Sequence, residues 1–96
     1  MYAGGFGDAK EADENVKKIA TDMRQKVEEE LGETFLKFRA VLYTSQVVAG
    51  TNYLIKVYVG HQKYIHNTVF VPLPFRNQPN ELLNVEANKI FTDPLK

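Results

Sequence analysis

Few side chains in this sequence are of the types that carry catalysis. There are two histidines, His61 and His66, one serine, Ser45, and no cysteine. The histidines stand five residues apart, one in a turn-like stretch and one in a strand-like run. No third ligand follows at metal spacing, so solvated or strand-face imidazoles are the better reading. Ser45 has no His and Asp arranged around it as a nucleophile requires. Without cysteine the chain has no thiol nucleophile, no thiolate ligand and no disulfide. The many carboxylates fall on a helical pattern, where they read as a solvated face. Gly4, Gly5 and Gly7 neither follow a strand nor open a helix, so they do not form a phosphate loop. The residues point away from an enzyme, a metal and a cofactor.

Composition narrows the partners. Twelve basic residues balance twelve acidic ones among 96. No excess positive field exists to gather nucleic-acid phosphates or an anionic membrane surface. No apolar run approaches the ~20 residues needed to span a bilayer, and no secretory signal is visible at the N-terminus. The lack of cysteine suits a reducing compartment, so a cytoplasmic location is expected. The length suits one domain around one core.

What remains is binding, and one stretch stands out for it. Gln46-Val47-Val48-Ala49-Gly50 lies between two strand-like segments, where a hairpin tip should be polar and turn-forming. Two valines and an alanine sit there instead. Hydrophobicity alone would favour an ordinary buried strand; the other reading is a surface shaped for another protein's groove. Leu73-Pro74-Phe75 is a second apolar segment, in a proline-punctuated loop. Tyr2 and Phe6, beside glycines, form a third; by default such a terminus is frayed.

The elements that must position these segments follow from periodicity. A helix is expected over residues 13–31, with Asp13 as N-cap, although Asp8 with Glu11 offers an earlier capping box. Val16, Ile19, Ala20, Met23, Val27 and Leu31 fall within roughly 120° of arc at about 100° per residue, one buried stripe. Glu30 falls in the stripe by angle and is expected to reach water at the helix end. Glu14/Lys18 and Asp22/Lys26 are expected as outward ion pairs. Gly32 suits the terminating position. Period two then takes over. Leu36, Phe38, Ala40 and Leu42 alternate with Lys37, Arg39, Val41 and Tyr43. A second alternation runs over residues 52–59, a third strand over 64–71 and a last one over 82–91, with a turn at residues 60–63. Both faces of the third strand are partly apolar. A short strand near Phe6 is expected to pair with the sheet.

The fold class is therefore α+β: one long α-helix packed across a four- to five-stranded antiparallel β-sheet. Residues 1–12 would be a flexible binding segment with a short strand, and 35–92 the antiparallel strands. In a meander, the second and third strands return the Leu73 loop to the end occupied by the Val47 tip. The N-terminal segment reaches it if it pairs along the sheet. Three apolar points at one edge would make a wedge suited to a cleft.

These residues resemble the cystatins, inhibitors of papain-like cysteine proteases, and within them the type 1 cystatins, or stefins. Gly4 matches the family's N-terminal glycine. Residues 46–50 match its first hairpin loop in full, Thr51-Asn52-Tyr53 continue it as in stefins, and Leu73-Pro74 match the stefin form of the second. The resemblance implies a cystatin-like fold and reversible, tight-binding competitive inhibition without reaction at the catalytic thiol. It implies papain and cathepsins L, S, H and B as partners, and a monomer with a domain-swapped dimer as an alternative form. Tyr2, Ala3, Gly4 and Gly5 would lie in the substrate-side subsites. Gln46, Val47, Val48, Ala49 and Gly50 would cover the wall beside the catalytic histidine. Leu73, Pro74 and Phe75 would rest on the leaving-group side. Ala3 is smaller than the side chain often found there, and Phe75 is large. The competing reading is a non-inhibitory scaffold, natural or engineered, on the same fold.

Overall fold

The computed structural model describes residues 6–95. Its elements are β1 (Lys10–Glu11), α1 (Glu14–Leu31), β2 (Arg39–Val48), β3 (Gly50–Gly60), β4 (Lys63–Pro72), a 3-10 turn (Pro74–Arg76) and β5 (Glu81–Lys89). The five strands form one antiparallel sheet in the order of the chain.

Helix α1 starts where a side chain can cap it. Asp13 has extended backbone, and its Oδ1 accepts from the Val16 N–H at 2.9 Å, satisfying one of the unpaired donors of the first turn. The helix ends at Gly32, which is left-handed at φ 68°, its N–H donating to the Glu28 carbonyl. Val16, Ile19, Ala20, Met23 and Val27 are buried, Leu31 is half-buried and Glu30 is exposed. The ion pairs differ from those expected. Lys17 meets Glu14 at 3.6 Å, Lys18 meets Asp22 at 3.0 Å and Arg24 meets Glu28 at 3.3 Å. Glu14 has lysines both three and four residues on, and Asp22 has a lysine four residues away on either side, so spacing alone does not choose between them.

The helix packs on β2, β3 and β5. Its stripe meets Ala40, Ile55, Val57, Val59, Ile65 and Val69 in one core. This decides the question about β4: Ile65, Asn67 and Val69 look toward the helix, while His66, Thr68 and Phe70 look to the other side, as their register with β3 requires.

Three boundaries move from the sequence expectation. The N-terminal strand lies at Lys10–Glu11, not near Phe6. Strand β2 begins at Arg39, and within it a bulge between Ala40 and Leu42 breaks the alternation that seemed to start at Leu36. Leu36 itself is 95% exposed. The last strand ends at Lys89. From there the chain crosses the sheet face opposite the helix, where the Lys56 ammonium donates to the main-chain carbonyls of Phe91 and, at 2.6 Å, Asp93. The Phe91 ring packs at a tilt against Tyr64 and lies 5.2 Å from the same ammonium. Lys56 and His66 are buried beneath this segment. Burial pushes the Lys56 pKa down, with Asp93 opposing and Lys89 adding.

Candidate functional site

The β2–β3 hairpin closes on one residue. Val48 pairs with Gly50, leaving Ala49 between them. So tight a reversal needs unusual backbone, and Gly50 supplies it at φ 132°. A Cβ on Gly50 would lie 2.6 Å from the Val71 carbonyl oxygen and 2.8 Å from the Phe70 ring. Glycine is therefore required twice over, by conformation and by the strand beside it. Two pairs down the hairpin, Asn52 Nδ2 donates to Gln46 Oε1 at 3.3 Å. That polar rung, facing pair to facing pair, stiffens the base of an apolar tip.

Val47 is 75% exposed, Val48 is 37% exposed and Ala49 is exposed, so the apolar tip stands in water. The reading of this run as a buried strand is excluded.

The second loop sits beside the first. Gly50 pairs with Pro72 across adjacent strands, which places Leu73 a neighbouring strand's width, ~5 Å, from the tip's line. The 3-10 turn that follows is closed by Arg76 N–H to Leu73 carbonyl at 3.0 Å and Asn77 N–H to Pro74 carbonyl at 3.2 Å. Asn77 takes the left-handed conformation at its end. Pro74 and Phe75 are exposed, Leu73 half-buried, and the Arg76 guanidinium lies 5.6 Å from the Phe75 ring centre. Residues 46–50 and 72–75 contain no ionisable side chain, so both tips present apolar and neutral polar groups, with the exposed Arg76 beside the second.

The N-terminal segment approaches from the third side. Lys10 pairs with Tyr43 and Glu11 with Leu42, antiparallel. Followed backwards, the chain thus runs along β2 toward the tip. The buried Thr44 hydroxyl donates to the Gly7 carbonyl at 2.6 Å and holds it on that course. Tyr2, Ala3, Gly4 and Gly5 lie outside the described residues.

Of the remaining chemistry-bearing residues, none gathers here. His61 lies in the β3–β4 turn at the opposite end, and His66 lies beneath the C-terminal segment. Among the described residues no group of three His, Cys, Asp or Glu side chains is placed to hold a metal ion. No helix of the described residues is long and apolar enough to cross a membrane. The Gln46–Asn52 rung and the Thr44–Gly7 clamp were not foreseen. Facing positions in the hairpin could have suggested the first; the second needs the N-terminal register.

One helix across an antiparallel meander, with two apolar turns side by side at one end, defines a sheet-and-helix module built to present loops. The chain belongs to the cystatin family, and within it to the type 1 cystatins. Residues 4–91 match the family model for the cystatin domain. The chain is 44% identical to Cystatin-A1 of Sus scrofa over 95 residues, covering 99% of this chain and 92% of the relative. It is 41% identical to Leukocyte cysteine proteinase inhibitor 1 of Sus scrofa, with the same coverage of 99% and 92%. It is also 41% identical to Cystatin-A of Homo sapiens, covering 99% and 97%. This is a family of cysteine protease inhibitors rather than of enzymes.

Proposed function

We propose that this single-domain protein is a reversible, tight-binding competitive inhibitor of papain-like cysteine proteases. The observation that carries the reading is the pairing of Gly50 with Pro72, which sets the exposed Val47-Val48-Ala49 tip beside Leu73-Pro74-Phe75.

The physical steps are few. Both loops are held by ladder bonds and turn bonds before any partner arrives, so little conformational entropy is lost on docking. Small side chains at the tip let main chain approach the wall of a cleft closely. The tip desolvates no charge when it enters an apolar groove. Gly4, with Tyr2 and Ala3 before it, would follow the substrate-side subsites and turn away from the thiol. No peptide bond would then be offered for attack. A protease–inhibitor interface of this kind buries about 1,600 Å² in total.

The test is a steady-state titration of papain and cathepsin L with gel-filtered monomer. Stoichiometric inhibition, with activity recovered on dilution, is expected. Removing residues 1–5, or Gly4→Arg, should weaken inhibition and leave the melting temperature unchanged. Unaltered inhibition in those variants would remove the N-terminal contact from the mechanism. No inhibition by folded wild-type monomer would leave the loops as a scaffold for another partner.

A further inference from the structure

At the opposite end of the sheet the loops build a second feature. β3 runs from Gly50 to Gly60, so the β3–β4 turn lies ~33 Å from the Val48 tip at about 3.3 Å per residue. Here the core beneath the helix ends at Val59 and Ile65. The helix's N-terminal cap meets Tyr43 on β2, and its last turns meet the first half of β5. The returning segment, residues 33–37, must close what is left, and it closes it incompletely. A pocket of about 510 Å³ remains, within the range of small-molecule sites.

Apolar side chains, Phe35, Leu36, Val59 and Ile65 among them, line part of the pocket, beside the polar Thr34, His61, Tyr64 and Asn88. Phe35 is fixed in place. Its N–H donates to Glu28 Oε2 at 2.9 Å, and its carbonyl accepts from the Arg24 guanidinium. That backbone hydrogen bond, together with Arg24, also holds the Glu28 carboxyl below its ordinary pKa. Leu36, at 95% exposure, stands at the mouth.

Lys37 and Lys63 are exposed and line the same pocket. An ideal Cβ on Gly60 would lie 4.0 Å from the Lys37 Cβ, which sets Lys37 against the turn that carries Lys63. Neither lysine has an ion-pair partner among the described residues. Glu33 is the one carboxylate of the lining among the described residues, against the two lysines, so the described rim is net positive.

The backbone of this rim is also costly. Of the four non-glycine residues with positive φ among the described residues, three are here: His61 at 52°, Gln62 at 59° and Asn88 at 60°. A two-residue hairpin turn with both φ positive is normally Asn-Gly or Asp-Gly. His-Gln keeps bulkier side chains there at a cost in stability, and such outliers gather at functional sites.

We propose that this distal pocket binds a small amphipathic monoanion: an apolar chain of medium length seated against Phe35, Leu36, Val59 and Ile65, with its carboxylate between Lys37 and Lys63. Charge complementarity selects an anion over a neutral amphiphile, and a concave volume of about 510 Å³ selects a single dissolved molecule over a lipid surface.

The experiment titrates the full ¹⁵N-labelled chain with monomeric decanoate, and with decanol as the uncharged control. Saturable shifts centred on residues 33–37, 60–65 and 87–88 are expected, with decanol binding several-fold more weakly. Lys37→Glu with Lys63→Glu, both exposed positions, should keep the fold and its melting temperature and weaken decanoate about tenfold, the sum expected of two exposed charge pairs reversed. Leu36→Ser should weaken both probes. A second arm measures co-sedimentation with phosphatidylcholine vesicles carrying oleate. No saturable shifts, shifts centred on residues 47–50, or undiminished binding by the double variant would overturn the proposal. So would retention by vesicles without binding of dissolved decanoate.

Discussion

Replacing Gly50 by alanine tests the hairpin's construction most sharply. Two costs arise together. At φ 132° the residue lies well outside the left-handed well that an alanine can reach, a strain of about 1–3 kcal/mol. The new methyl would also stand 2.6 Å from the Val71 carbonyl oxygen. That oxygen is main chain in a paired strand and cannot swing aside as the Phe70 ring can. Overpacking of this kind adds about 1–3 kcal/mol. A total near 4 kcal/mol is a large part of the stability of a small domain. At about 4–8 °C per kcal/mol for this size, the melting temperature should fall by roughly 15–30 °C. Gly32→Ala is the internal control. Gly32 is at φ 68° with nothing within 4 Å of its added Cβ, so only the left-handed penalty of about 1–2 kcal/mol applies. Thermal and urea unfolding of both variants gives the comparison. A Gly50→Ala loss no larger than that of Gly32→Ala would refute the steric account.

Three further outcomes follow from the same structure. Val48→Asp should weaken protease inhibition ~100-fold or more in a titration against papain, because a carboxylate would be desolvated against an apolar wall. His61→Asn with Gln62→Gly should raise stability in urea unfolding by about 0.5–1 kcal/mol per site, by relieving positive φ at non-glycine residues. His66 sets a pH dependence. Burial depresses its pKa, the nearby Lys56 and Lys89 charges depress it further, and Glu86 and Asp93 oppose them. The unfolded chain therefore binds a proton near pH 6.5 that the native chain still refuses. Stability is full above that pH and falls as pH drops from about 6.5 toward the depressed native value. The difference in stability between wild type and His66→Gln, measured at pH 7.5 and pH 5, should shrink in acid. A constant difference would show that His66 does not titrate in this window.

Much of this molecule was legible in the sequence because the signals were local. The α1 stripe repeats at 3.6 residues, and the five residues it buries most are the ones the angles chose. Asp13 and Gly32 mark the helix ends by chemistry that belongs to single positions. The apolar tip announced itself by standing where polar residues belong. Features that depend on distant pairing were hidden. Leu36 and Phe38 continue the alternation of β2 in sequence, yet the bulge between Ala40 and Leu42 breaks it in the sheet. The crossing of the C-terminal segment rests on Lys56 and two main-chain carbonyls, and carbonyls leave no mark in composition. Lys56 reads as an outward strand residue until that cover is known. The distal pocket is likewise a product of where the helix crosses, which periodicity does not give.

In the proposed inhibition one end of the molecule enters the protease and the other remains free. Hydrogen exchange of the full chain, alone and in complex with papain, reads this directly. Slowed exchange at residues 46–52 and 72–77, with residues 60–63 unchanged, is the predicted pattern. Protection centred on the β3–β4 turn, with the Val47–Val48 tip exchanging as in the free protein, would contradict it.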